Sequence, residues 1–281
     1  MSVNLKLLPL LAIFAVAGLF FWRSGQRPVP DRLTILSVGQ GDCAVMQSGG
    51  HTILIDVGPF TNGYDAGKKI VVPKLRKMGV RAIDLILLSH PDADHTGGLG
   101  AVLRSFPVAT IGISAAFSRH EGMLAQLRAL NCMSRVVWLK PLQKTRIGTC
   151  EVQVACPTWQ PSMNDNDGSE FVKLTEGRST AVFSGDASGE TEEAMEGVMD
   201  WRAQVAKLGH HGSRTASSAS WLKAVGPAWA VVSCGRNNSY GHPAPEVLQR
   251  LASSRIRVAR TDTEGDITFV ATDSGFRRVA N

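Results

Sequence analysis

Ser89-His90-Pro91-Asp92-Ala93-Asp94-His95-Thr96-Gly97-Gly98 is the stretch on which the fold turns. A short apolar run, Ile83-Asp84-Leu85-Ile86-Leu87-Leu88, precedes it and predicts a fully buried strand. After the two glycines, residues 99–106 show the apolar spacing of a helix. Two imidazoles and two carboxylates therefore sit on the turn leaving a buried strand, where open α/β sheets place their chemistry. Four such groups within six residues cannot all enter an apolar core, because unpaired buried charge is prohibitive.

Outward from this turn the chain divides into two similar halves. Strands are expected over 33–38, 42–47 and 52–56, joined by glycine-rich turns, then over 85–88, 110–113 and 136–139. Helices are expected over 70–78, 99–106 and 120–131. The second half offers strands over 151–155, 171–175, 180–183, 205–208, 228–233, 257–260 and 266–270, with helices over 190–199, 219–225 and 246–253. Strands first and alternating helices afterwards, twice over, predict two facing sheets with helices outside.

Several of these strands end at polar groups just before a glycine turn. Asp94 and His95 lie after the 85–88 strand, Asp186 after 180–183, and His210 and His211 after 205–208. If the strands are neighbours, their ends meet at one edge of the sandwich. Imidazoles mixed with carboxylates suit a divalent transition metal, and a central carboxylate such as Asp186 suits two ions about 3.5–4 Å apart. His120 stands away from this set and is expected on the surface. Five cysteines show no metal-ligand spacing and read as small buried hydrophobes.

The formal charge of +6 is modest, and removing Lys6 and Arg23 leaves +4 for residues 24–281. That excludes a dedicated nucleic-acid arm and is compatible with a polyanionic substrate. Residues 7–22 are uncharged and strongly apolar, bracketed by Lys6 and Arg23. They predict a signal anchor or signal peptide over 1–23, followed by a linker over 24–32 and one domain over 33–281. The expected location is the bacterial inner membrane with the domain outside the cytoplasm, or export.

Six segments, Val38-Gly39-Gln40-Gly41-Asp42, Leu54-Ile55-Asp56-Val57-Gly58, the 89–98 stretch, Phe183-Ser184-Gly185-Asp186-Ala187, Leu208-Gly209-His210-His211-Gly212-Ser213 and Tyr240-Gly241-His242-Pro243, together resemble the metallo-β-lactamase superfamily. Within it they are similar to the hydrolase domain of the ComEC family of competence DNA-channel proteins. The resemblance implies an α/β fold, a four-layer αβ/βα sandwich with the metal site at its edge. It implies two divalent ions, held by His90, Asp92, Asp94, His95, Asp186 and a histidine of the 210–211 pair. Asp42 and Asp56 would orient those ligands from behind.

Two departures from the superfamily's commonest pattern bear on the chemistry. Asp92 stands where a histidine is usual, and no histidine lies in the 164–170 loop before Asp186. That acidic loop offers oxygen donors instead. The resulting oxygen-rich set favours Mn²⁺, with Zn²⁺ as the other option. It points to metal-assisted phosphodiester hydrolysis, with Asp94, His211 and His242 carrying the catalytic assignment. His242, or whichever of His210 and His211 is not a ligand, would protonate the leaving oxygen. Lys207, Ser213 and Arg214 are candidates for phosphate contact. The expected function is a DNA nuclease at the membrane, with a DNA-uptake machine as a candidate partner. The alternatives are hydrolysis of another phosphodiester, such as cell-wall choline phosphate, and a non-catalytic partner in DNA uptake.

Overall fold

Strand β6 (Ile83–Leu88) shows why an almost unbroken apolar run forms a strand here. Leu85 and Leu87 face one buried cluster while Ile86 and Leu88 face another, so both sides of the strand need apolar residues. A computed structural model describes residues 30–280, apart from 62, 161 and 162. The expected anchor over 1–23 and most of the linker fall outside the described residues. Among those described, no helix is long and apolar enough to cross a membrane.

Seventeen strands are present among the described residues: β1 (Arg32–Ile35), β2 (Ala44–Ser48), β3 (His51–Ile55), β4 (Phe60–Thr61), β5 (Tyr64–Asp65), β6, β7 (Val108–Ser114), β8 (Val136–Leu139), β9 (Leu142–Ile147), β10 (Cys150–Ala155), β11 (Phe171–Glu176), β12 (Ser179–Phe183), β13 (Val205–Lys207), β14 (Trp229–Val232), β15 (Arg257–Arg260), β16 (Ile267–Thr272) and β17 (Gly275–Val279). One sheet runs β17-β16-β1-β2-β3-β6-β7-β8 and the other β15-β14-β13-β12-β11-β10-β9. In each, an antiparallel part continues into parallel strands, β3-β6-β7-β8 and β12-β13-β14-β15.

The sheets meet through one buried cluster that includes Leu33, Ile53, Leu87, Val152, Phe183 and Phe269. Helices cover the outer face of the first sheet through Leu75, Leu99 and Val102. They cover the second through Trp221, Val247 and Leu251. The layering is thus helix, sheet, sheet, helix.

Three sequence expectations change. Strands β9 and β17 were not anticipated; each is an edge strand, and their sequences, LQKTRI and GFRRV, carry charge where the chain meets water. The short β4–β5 hairpin was not anticipated either. His120 is not a free surface residue: its Nδ1 accepts from the Met123 amide (3.0 Å), capping the helix Glu121–Ala129, and its Nε2 lies 3.1 Å from Asp165. All five cysteines are buried and free.

Glu192, on the helix Gly189–Met195, is fully buried beside the strand ends. It accepts from the Ser184 hydroxyl (3.2 Å) and the Ser218 amide (3.0 Å), tying the helix to two loops. Burial pushes its carboxyl up from 4.5 to about 8. A carboxyl raised in the folded state contributes stability that is complete below the unfolded value and lost as pH rises towards 8. Glu192→Gln removes the charge while its oxygen still accepts from the Ser218 amide and its NH2 donates to the Ser184 hydroxyl, which turns to accept. Thermal unfolding at pH 5 and pH 8 should show the variant gaining on the wild type at pH 8, by on the order of 3–5 kcal/mol at most. An identical pH dependence in both proteins would refute this role.

Candidate metal centre

The parallel strands bring the candidate residues to one edge of the sandwich. Asp56 follows β3, the 89–95 turn follows β6, Asp186 follows β12, and His210 and His211 follow β13. Close backbone packing sets the turn: a side chain on Gly98 would put its Cβ 2.1 Å from the Val57 carbonyl oxygen. Three non-glycine residues here adopt left-handed backbone, Asp56 (φ 58°), His210 (φ 47°) and His211 (φ 55°). Such conformations cost on the order of 1–3 kcal/mol each and persist where surrounding structure enforces them.

Three imidazoles are tethered in the same sense. His95 donates from Nδ1 to Asp56 (2.8 Å), His211 from Nδ1 to the Ser233 carbonyl (2.9 Å), and His90 from Nδ1 to the Ser89 hydroxyl (3.0 Å). Ser89 passes its own proton to Asp56 (2.9 Å), and the Ser89 amide also donates to Asp56 (2.8 Å). Each ring therefore turns Nε2 inward, which fixes the tautomer that ligates a metal.

The inward atoms converge. His211 Nε2 lies 3.1 Å from Asp94 and 3.4 Å from Asp186, while His95 Nε2 lies 3.3 Å from Asp186 and 3.9 Å from Asp94. Ligand atoms of Asp94, His95, Asp186 and His211 all fall within 4.8 Å of one another. His90 packs against His95 with ring centroids 4.1 Å apart and planes tilted by 52°, and its Nε2 is 3.6 Å from the half-exposed Asp92. His210 stands at the margin, 3.8 Å from Asp186, so the structure brings His211 rather than His210 into the four-residue cluster.

The electrostatics call for a cation. Burial opposes charge on His95 and His211, yet Asp186, joined by Asp56 and Asp42 respectively, drives both well above the ordinary histidine range. Asp186 is held well below the usual carboxylate range against its own burial, by His211 and His95. Meanwhile His90 Nε2, His95 Nε2 and Asp186 Oδ1 are buried with no hydrogen-bond partner. Orphaned acceptor atoms facing a shared point, with acid and imidazole donors mixed, fit divalent metal ions.

Other predicted residues occupy different places. Lys207 is not on an exposed basic turn: it is buried, ion-paired with Asp42 and 3.9 Å from Asp186. Burial opposes its charge, and Asp42 and Asp186 hold its pKa up all the same. Ser213 is buried with its hydroxyl 3.0 Å from that of Thr215, whereas Arg214 is exposed. His242 stands beside the cluster, its ring 6.4 Å from His211 and 5.8 Å from His210. In the 164–170 loop Asp165 turns to His120 and Asp167 to Ser188 and Thr191, outside the metal-donor cluster.

Three residues within the segments singled out above have supporting roles that their sequence context did not assign. Ser89 links Asp56 to two imidazoles; Ser169 accepts from the Asp186 amide (3.1 Å); and Glu170 is buried with both carboxylate oxygens unpartnered. Glu170 lines a water-sized void with Asp42, Asp56, Ser89 and Lys207, and burial pushes its carboxyl well up. Ser89 sits inside the central motif, and Ser169 and Glu170 close the acidic 164–170 loop; which loop residue turns inward is what spacing does not encode.

Residues 36–236 match the family model described as the Metallo-beta-lactamase superfamily. The chain is 30% identical over 262 residues to "Competence protein ComA" of Neisseria gonorrhoeae, covering 92% of this chain and 35% of that protein. It is 29% identical over 254 residues to "ComE operon protein 3" of Bacillus subtilis, covering 84% and 32%. The chain thus spans about a third of the length of these relatives. Among solved structures, the metallo-beta-lactamase fold protein YhfI from Bacillus subtilis superposes with a TM-score of 0.58 at 15% identity, over 85% of this chain and 98% of that one.

Asp56→Asn tests the tethering. Asparagine tolerates left-handed backbone, so the turn survives, but it replaces one carboxylate acceptor with an amide donor facing Ser89 or His95. Metal affinity should fall about 10–100-fold, the usual effect of losing a partner of a ligating histidine. Unchanged metal titration in a folded variant would show that Asp56 does not set the ligand geometry.

Proposed function

The chain belongs to the metallo-beta-lactamase superfamily, and from that premise we propose that it is a metal-dependent phosphodiester hydrolase acting on DNA. The observation that carries the proposal is the Asp94–His95–Asp186–His211 cluster, with its unpartnered inward atoms. Relatives named as a competence protein and as "Recombination protein 2" support DNA as the substrate.

In this reading His90, Asp92, Asp94, His95, Asp186 and His211 hold two divalent ions, with Mn²⁺ favoured by the oxygen-rich donor set. Such ions would supply a nucleophile at neutral pH and offset charge on the phosphoryl oxygens. Asp186, 3.3 Å from His95 and 3.4 Å from His211, would be the carboxylate shared in holding the ions. The Lys207–Asp42 pair sits behind it and keeps compensating charge in place. Arg214 is exposed next to the histidine turn and is available to a substrate phosphate. His242, alongside His211 and His210, would hand a proton to the leaving oxygen. The apolar residues 7–22 support attachment to the bacterial inner membrane with this domain outside the cytoplasm, or export.

His242→Ala separates proton transfer from metal binding. With Mn²⁺ and a DNA substrate, turnover should drop roughly 10²–10⁴-fold while metal content stays at the wild-type level. Loss of an ion in this variant would make His242 a ligand and return the proton-donor role to His210. Release of choline phosphate without any DNA cleavage by the wild type would overturn the DNA reading while leaving the hydrolase intact.

A further inference from the structure

Tyr240 is the most exposed of the large hydrophobic side chains described, at 69%, yet it is not a loose surface residue. One face of its ring stacks on His242, with centroids 5.7 Å apart and planes 25° from parallel. His242 in turn lies beside His211 at 6.4 Å. An open aromatic face is thus laid on an imidazole that borders the metal-donor cluster.

The loop that carries it is braced. Asn238 donates from Nδ2 to the carbonyls of Gly235 (3.0 Å) and His242 (2.7 Å), and its Oδ1 accepts from the His242 amide (2.9 Å). Gln40 accepts from the Gly235 amide (3.1 Å), tying the same loop to the segment leading into Asp42. One side chain therefore cross-links both ends of the turn bearing Tyr240, and the exposed ring is held out rather than folded back. A fixed aromatic face binds at low entropic cost.

A second exposed ring belongs to the same edge. Phe60, 52% exposed, begins the β4–β5 hairpin, and its backbone presses on the central motif: a Cβ on Gly97 would come 2.2 Å from the Phe60 amide nitrogen. The loop of residues 39–41 adjoins both segments: a Cβ on Gly41 would come 3.0 Å from Pro59, and Gln40 accepts from the Gly235 amide.

Resting on the DNA reading above, we propose that Tyr240 is a base-stacking residue, which receives an unpaired nucleobase next to the phosphodiester held at the Asp94–His95–Asp186–His211 cluster. Phe60, against the central motif, offers a second platform. Bases in a duplex keep their faces buried in the stack, whereas every unpaired base presents one to an aromatic ring without regard to sequence. The substrate class is therefore single-stranded nucleic acid, bound with little sequence preference.

The test compares a single-stranded oligonucleotide with the same strand carrying abasic residues on both sides of one phosphodiester, in Mn²⁺, for the wild type and for Y240A, Y240F and Y240W. Wild type, Y240F and Y240W should cleave the intact site with a kcat/KM about 10-fold or more above the abasic site, mostly through KM. In Y240A that ratio should fall towards one. Equal cleavage of intact and abasic sites by the wild type overturns the proposal, as does a ratio preserved in Y240A. Should Y240A not fold, Y240L, which keeps bulk without an aromatic face, carries the same comparison and the same two outcomes. If the wild type cleaves no nucleic acid but hydrolyses another phosphodiester, the DNA reading fails and this inference falls with it; cleavage of DNA with no base dependence sinks the inference alone.

Discussion

Three imidazoles fixed through Nδ1, each presenting Nε2 to Asp94, Asp186 or Asp92, set the terms for everything around them. Burying that many acceptors costs several kcal/mol for each one left without a partner, so the arrangement needs either protons or metal ions at its centre. Protons answer the need in part, since His95 and His211 hold theirs more tightly than free histidine. His90 Nε2 remains without a hydrogen-bond partner even so. Metal ions satisfy nitrogen and oxygen together, and binding them adds their affinity to the stability of the fold.

The sandwich is the device that makes such a cluster affordable. Asp56 and His95 come from the first sheet, Asp186 and His211 from the second, and the parallel strands β3, β6, β12 and β13 deliver all four to one edge. Left-handed backbone at Asp56, His210 and His211 is local strain that the surrounding sheets over-determine. Behind the cluster, Lys207 and Asp42 form a buried ion pair whose charge would be prohibitive alone. Glu170 completes this inner layer beside a void the size of one water.

Much of this was legible in the sequence because strand ends and glycine turns mark themselves. The 83–88 run, the acid and imidazole groups at 89–95, Asp186 and the 210–211 pair all carry that mark, and the helix–sheet–sheet–helix layering follows from their order. Edge strands β9 and β17 escaped because solvent-facing charge hides alternation. Lys207 is buried although a lysine at a strand end reads as exposed, because its partner Asp42 arrives from the loop leading into β2 of the other sheet. His120 is on the surface as expected, but its acid partner Asp165 arrives from a distant loop that local sequence does not reveal. The choice between His210 and His211 depended on the left-handed turn that points one ring inward, which spacing does not encode.

Anomalous X-ray scattering from crystals grown with Mn²⁺ addresses the centre itself. The account predicts two ions per chain, about 3.5–4 Å apart, on either side of the Asp186 carboxylate, with Nε2 of His90, His95 and His211 as ligands and His210 unbound. A cluster that excludes metal, with Asp186 held between protonated His95 and His211, would contradict it.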